Sequence, residues 1–185
     1  LGADCPIVPK PKEYVPLGKA IELGTPETAA ILVNPAGGGA YAASRLQALI
    51  QNRFKRTIPI NPDGKRAQSV VLKLDTEKIL PPNGFRIDFK HSDISVTGAD
   101  KLGLAYGVEA LFNLMRKDSD GIVRITKANV RDWPSIPWRG RPHSVMAHQL
   151  LPGQLDAYVH ARLNFIDYRD DPDQKETVMM PARKS

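Results

Sequence analysis

Hydrolysis, group transfer and metal chemistry each need carboxylates, imidazoles, thiols or phosphate-cradling glycines at workable spacings, and this chain offers few. His91, His143, His148 and His160 show no metal-ligand spacing with carboxylates, so no metal is expected. Cys5 is the single cysteine, which excludes an internal disulfide and a cysteine-rich zinc site. Gly37-Gly38-Gly39 invites a test as a phosphate cradle. It fails as a P-loop, because Ala40-Tyr41 follows where Gly-Lys-Ser/Thr is required. It fails as a dinucleotide fingerprint too, lacking a third glycine at the needed place. The run reads as a flexible turn before a helix, and no cofactor is expected. Asp170 and Asp171 are adjacent carboxylates, but they precede Pro172 and read mainly as a solvated turn.

Bulk properties narrow the classes further. A length of 185 residues suits one full domain plus a remainder, and 42% hydrophobic residues suffice for a core. No apolar run approaches the ~18 residues of a membrane helix, so no membrane span is expected. The net charge is +6, but the basic residues are scattered rather than gathered on a stripe. Nucleic-acid binding is therefore not expected, and steep salt dependence of binding would be its signature. Cysteine scarcity fits an intracellular or an exported bacterial protein equally. The chain starts without Met or a signal segment, which suggests a processed start. Leu1 to Cys5 is similar to a lipoprotein cleavage box, yet Asp4 stands where a small residue belongs, so lipidation of Cys5 is not expected.

The elements follow from periodicity. Pro6, Pro9, Pro11 and Pro16 predict an extended lead-in over residues 5–18 along the domain surface. Ile21–Leu23 and Ala30–Val33 suit short buried strands. After the glycine turn, Leu46, Leu49, Ile50 and Phe54 form one apolar stripe on a helix. Ser69–Leu74 is a further strand candidate, and Glu77–Leu80 a brief connection. Phe85, Ile87 and Phe89 alternate with Arg86, Asp88 and Lys90, and Ile94 and Val96 repeat the pattern after His91-Ser92-Asp93. This predicts a hairpin with one polar face. Asp100 is a plausible cap for the next helix, whose apolar face is Leu104, Val108, Leu111, Phe112 and Met115. Gly103 and Gly107 lie on one side of it and predict close backbone packing. Residues 122–127 alternate as one strand, and Val130 leads into Asp132-Trp133-Pro134. Beyond Pro142, a strand over 143–151, a helix over 152–163 and a strand over 164–169 compose a βαβ unit. Residues 170–185 read as nearly structureless.

The order of these pieces resembles the small α/β domain that precedes the catalytic barrel in family 20 glycoside hydrolases, the β-N-acetylhexosaminidases, and in related barrel glycosidases. The resemblance is carried by Gly84-Phe85-Arg86-Ile87, by Ile94 to Ala99, by Gly103-Leu104-Ala105-Tyr106-Gly107-Val108, and by Asp132-Trp133-Pro134 followed by Trp138-Arg139-Gly140. Ala161-Arg162-Leu163-Asn164-Phe165 is similar to the approach to the barrel's second strand. The resemblance implies an α/β (α+β) fold with a mixed sheet and helices packed on it. It places this accessory domain at residues 1–137 and the first strand, helix and strand of a truncated barrel at 138–185. It also implies a secreted or periplasmic protein whose partner is a glycan substrate taken by the missing barrel, with self-association through exposed barrel strands.

Family members carry an aspartate five residues after the arginine of the Arg-Gly pair and a second arginine eight after it. Ser144 and Ala147 stand there in this chain. A His-x-His pattern usual after the asparagine is replaced by Asp167-Tyr168-Arg169. Related barrel enzymes acting on O-linked N-acetylglucosamine or α-glucuronides are thus comparable to the hexosaminidases as relatives. Glycoside cleavage usually needs two carboxyl groups across the bond. In family 20 an Asp-Glu pair on a later barrel strand serves, and no Asp-Glu dipeptide occurs here, so no catalytic residue is assigned. Barrel sites use the C-terminal ends of strands, which makes His148, Arg169 and Asp170 the candidate sugar-binding residues. His143 and Asp167 lie deeper as structural groups, and Arg139 braces the junction. The alternative function is a stand-alone carbohydrate-binding or protein-interaction module, which exposed aromatics would favour. Trp133 and Trp138 are the only tryptophans and both fall in the junction.

Overall fold

A computed structural model describes residues 5–34, 37–136, 139–143, 157–163, 165–168 and 177–179. The chain divides into two compact units, Leu1–Trp133 and Pro134–Ser185.

The first unit is built on a mixed six-stranded sheet. Its strands are β1 (Glu13–Pro16), β3 (Ala29–Val33), β4 (Gln68–Leu74), β5 (Phe85–Lys90), β6 (Asp93–Gly98) and β9 (Ala128–Asp132), ordered β1-β9-β5-β6-β4-β3. β3, β4 and β6 run parallel, while β5, β9 and β1 are antiparallel to their neighbours. Parallel neighbours require a crossover, and α1 (Ala40–Phe54) supplies it between β3 and β4. A smaller antiparallel sheet joins β2 (Ile21–Glu22), β8 (Val123–Ile125) and β7 (Met115–Lys117).

The alternation read in the hairpin decides which face of the large sheet is covered. Phe85, Ile87, Ile94, Val96, Val70, Leu72 and Val130 are all buried on that face. Each such side chain contributes about 1.5–3 kcal/mol by leaving water. Helix α2 (Lys101–Asn113) is buried at every position from Leu102 to Phe112. Its start is set by Asp100, whose Oδ1 accepts from the Gly103 N–H at 2.8 Å. The other oxygen, Oδ2, accepts from the Asn83 backbone N–H at 2.8 Å, so one carboxylate ties the turn before β5 to the helix. The paired glycines meet the sheet as expected. A Cβ on Gly103 would overlap the Gly84 carbonyl oxygen, and one on Gly107 would lie 2.6 Å from Val96 Cγ1.

Helix α1 presents Leu46, Ile50 and Phe54 to this core, with Leu49 only half-buried. Phe54 and Phe112 meet as tilted rings 5.8 Å apart, and the Arg53 guanidinium lies 5.3 Å from the Phe112 centroid. Single polar residues close the edges. Asn61 donates from its backbone N–H to the Ile31 carbonyl, while its side chain bonds the N–H and C=O of Val33. That amide stands in for a further strand beside β3. Gln68 receives the Gly24 N–H and donates to the Glu22 carbonyl, satisfying a buried amide.

Several expected elements are redrawn. The strand expected over 122–127 is shortened to β8, because Thr126 donates to the Leu114 carbonyl and Leu17 to that of Lys127, turning the chain before Ala128 opens β9 in the other sheet. Met115 does not extend α2; it opens β7, paired with Ile125. The lead-in holds a true strand, β1, where Leu17's predecessors pair with Ala128–Arg131.

The second unit carries β10 (Gly140–His143), β11 (Phe165–Tyr168) and β12 (Thr177–Met179), whose backbone alone is described. β10 and β11 are parallel, with a helical turn at residues 157–160 between them. Of the strand expected over 143–151, β10 includes His143, and residues 144–151 are outside the described residues. β12 runs antiparallel to β11, so the stretch expected to be structureless contains a strand.

Candidate functional site

His148, Arg169 and Asp170, the candidate sugar contacts, lie outside the described residues, as do Asp171, Ser144 and Ala147. Asp167 is at the third position of β11, opposite Pro142 on one side and Thr177 on the other. Arg139 is the best-defined group of this unit. Its Nε donates to the Arg162 carbonyl and its Nη1 to the Ile136 carbonyl, both at 2.8 Å. The planar fork therefore ties the segment entering β10 to the end of the helical turn. Both acceptors belong to the second unit.

In the first unit three settings of charged groups bear on chemistry. Glu109 on α2 is buried and accepts from Arg45 Nε of α1 at 2.7 Å. Its side chain is 2% exposed, so this pair joins two helices and offers no substrate access. At the β7–β8 turn, Arg124 bonds Asp118 and also Asp120, the latter at 2.8 Å from Nη2. Hydrogen bonding to Arg124 and to the Ile122 N–H holds the Asp120 carboxyl below its usual range. A carboxylate so held stays ionised and cannot serve as the protonated acid of glycoside cleavage. Conversely, Asp118 and Asp120 raise the Arg124 guanidinium's affinity for its proton.

The third setting is the face of the large sheet turned away from the buried apolar row. Directly paired residues of neighbouring strands share a face. Register therefore aligns Glu13, Arg131, Arg86, Thr97 and Lys73 in one row across β1, β9, β5, β6 and β4. The hairpin's polar face, visible in the alternation around Arg86 and Asp88, is the centre of this row. Its continuation to Arg131 and Lys73 depends on pairings between distant segments, which no local pattern signals.

At the end of the unit Trp133 is half-buried, with the Lys12 ammonium 5.3 Å from its ring centroid, and Lys12 N–H donates to Asp132 Oδ1. This indole is thus engaged with the lead-in segment rather than presented as a sugar platform. Among the described residues no group of three or more His, Cys, Asp or Glu side chains could hold a metal ion. Likewise no described helix is long and apolar enough to cross a membrane.

The fold has counterparts among solved structures. An exo β-N-acetylglucosaminidase of family 20 from Vibrio harveyi, solved with N-acetylglucosamine, superposes with a TM-score of 0.72 at 15% identity over 89% of this chain and 25% of that one. The Streptomyces plicatus N-acetyl-β-hexosaminidase gives 0.71 at 19% identity, over 89% and 34% of the two chains. A chitobiase from Flavobacterium johnsoniae gives 0.67 at 19% identity, over 89% and 27%. At these identities the likeness is one of fold, and this chain spans about a quarter to a third of those enzymes' length. Comparison with curated protein sequences finds no match. The family model described as glycosyl hydrolase family 20, domain 2, matches residues 4–133, which is nearly all of the first unit. The chain belongs to that family through this α/β domain.

Proposed function

We propose that this chain is the non-catalytic amino-terminal portion of a glycoside hydrolase acting on N-acetylhexosaminides or a related glycan. Its first unit buttresses a catalytic barrel, and residues 138–185 begin that barrel. The observation that carries this reading is the family match over residues 4–133, a domain that makes up only a minor part of the hydrolases sharing its fold. The parallel pairing of β10 with β11 across a helical turn supports a barrel beginning, since barrel strands are all parallel. The antiparallel β12 departs from that pattern. Within the first unit, the carboxylates described above are committed to Arg45, Arg124 and the α2 cap, which supports a structural rather than catalytic role. On this reading His148, Arg169 and Asp170 contribute to the sugar site at the strand ends of the completed barrel. The enzyme is a secreted or periplasmic one.

The test is to express the chain together with whatever its gene encodes after Ser185. A continuation of barrel size, ~200 residues or more, that carries an acidic pair and hydrolyses a chromogenic N-acetylhexosaminide is expected. A reading frame that ends at Ser185, or a folded extended protein inert on such glycosides, would overturn the reading.

A further inference from the structure

The outer row of the large sheet sets two cations directly against one another. Arg86 of β5 and Arg131 of β9 are register partners, and like charges in that position destabilise a sheet. Their carboxylate neighbours only partly offset this. Arg86 Nε is 3.4 Å from Asp88 Oδ2, and Arg131 Nη1 is 3.9 Å from Glu13 Oε2. Both Nε atoms are shut away from solvent without a hydrogen-bond partner, as are Thr97 Oγ1 and Ser95 Oγ on the same face. Thr97 lies beside Arg86 in the row and is 2% exposed. The buried Thr97 hydroxyl and the Arg131 Nε–H lack acceptors, and the Arg86 Nε–H meets Asp88 only at a long 3.4 Å, which costs free energy as they stand. The arginine side chains are 35% and 43% exposed, so a solute can reach them.

We infer that this row is a binding surface for an acidic glycan, with a sugar carboxylate held between Arg86 and Arg131 over Thr97. One oxyanion there relieves the like-charge opposition and supplies the acceptors that the buried donors lack. Lys73 continues the row two strands beyond Arg86, about 10 Å away at ordinary strand spacing, and meets a second carboxylate on the same polymer. The apolar residues of this face, Val15, Val71 and Leu32, are dispersed and include no aromatic ring. That disfavours a folded protein partner, whose interface would need an apolar centre. That the polymer is a glycan rests on the glycosidase reading above.

The test titrates the whole chain at low salt with a hexameric oligogalacturonate, and in parallel with a neutral chito-oligosaccharide, inorganic sulfate and a hexa-aspartate peptide, read by calorimetry. The oligogalacturonate is expected to bind. Replacing Arg86→Gln together with Arg131→Gln is expected to weaken it at least about tenfold, and Lys73→Gln about threefold. Replacing Arg116→Gln and Lys117→Gln removes the same charge from the small sheet and is expected to change binding less than twofold. Equal weakening by both double variants would reduce the effect to general attraction by a basic protein and overturn the site. Binding of sulfate or hexa-aspartate as tight as that of the oligouronide would overturn the glycan assignment, and no oligouronide binding would overturn it outright. Should a variant misfold, amide shifts of the native chain decide. Shifts confined to residues around 73, 86, 97 and 131 support the site, and shifts confined elsewhere contradict it. None of these outcomes depends on hydrolytic activity, so failure here is separable from failure of the accessory-domain reading.

Discussion

The two faces of the large sheet differ in what they ask of their residues. The inner face is apolar, closed by α1 and α2, and admits helix backbone so near to the strands that Gly103 and Gly107 leave no room for a Cβ. The outer face is polar, half-exposed and electrostatically unbalanced around Arg86 and Arg131. The first arrangement pays for the ordering of the chain; the second leaves donors unused. A face built only for stability would not oppose two arginines, so the contrast separates what holds the domain together from what it can hold.

Breaking the inner face should produce the largest effects. Glu109→Ala removes the buried carboxylate that the half-buried Arg45 guanidinium pairs with, and the expected loss is about 3 kcal/mol, read as a denaturation midpoint shift. A paired Glu109→Leu, Arg45→Leu variant should recover most of that loss, because no charge is stranded. Gly103→Ala forces α2 away from the Gly84 carbonyl, and chemical denaturation should show a cost of about 1–3 kcal/mol. Removing the cap by Asp100→Ala should cost about 1 kcal/mol, with hydrogen-exchange protection lost first in the opening turn of α2. On the outer face, by contrast, Arg86→Gln without any ligand should leave the melting temperature unchanged or slightly higher, since it removes a like-charge opposition.

The smallest effect concerns pH. Asp120 is held below its usual range by Arg124 and the Ile122 N–H, so its ionised form is favoured in the folded state. Its contribution is therefore fully present above the ordinary aspartate value of about 3.9 and fades as pH falls below that, through the folded value. An Asp120→Asn variant should differ from the native chain at neutral pH and converge with it in acid, as followed by urea midpoints across pH. Being a surface group, Asp120 should move those midpoints only slightly.

The inner face was largely legible in the sequence because its signals are local. Alternation around Phe85 and Ile94, the cap at Asp100 and the glycine spacing in α2 each act within a few residues. The split between β8 and β9 was not legible, since Val123, Ile125, Ala128 and Val130 are apolar residues of neighbouring segments whose sheets differ only through pairing with Met115 on one side and Phe85–Ile87 on the other. Gln68 and Asn61 were missed for a related reason, as single amides whose partners lie 28 to 46 residues away. The expected sugar contacts His148, Arg169 and Asp170 lie outside the described residues, while the row through Arg131, Arg86 and Lys73 emerges only once distant strands are set in register.

The central proposal is that this chain supports glycan hydrolysis without performing it. The most direct measurement is the rate at which the purified 185-residue chain hydrolyses a chromogenic N-acetylglucosaminide, compared with buffer alone. A rate no different from buffer is the predicted result. Turnover that persists through purification and is lost when a single carboxylate of the chain is replaced would contradict the account.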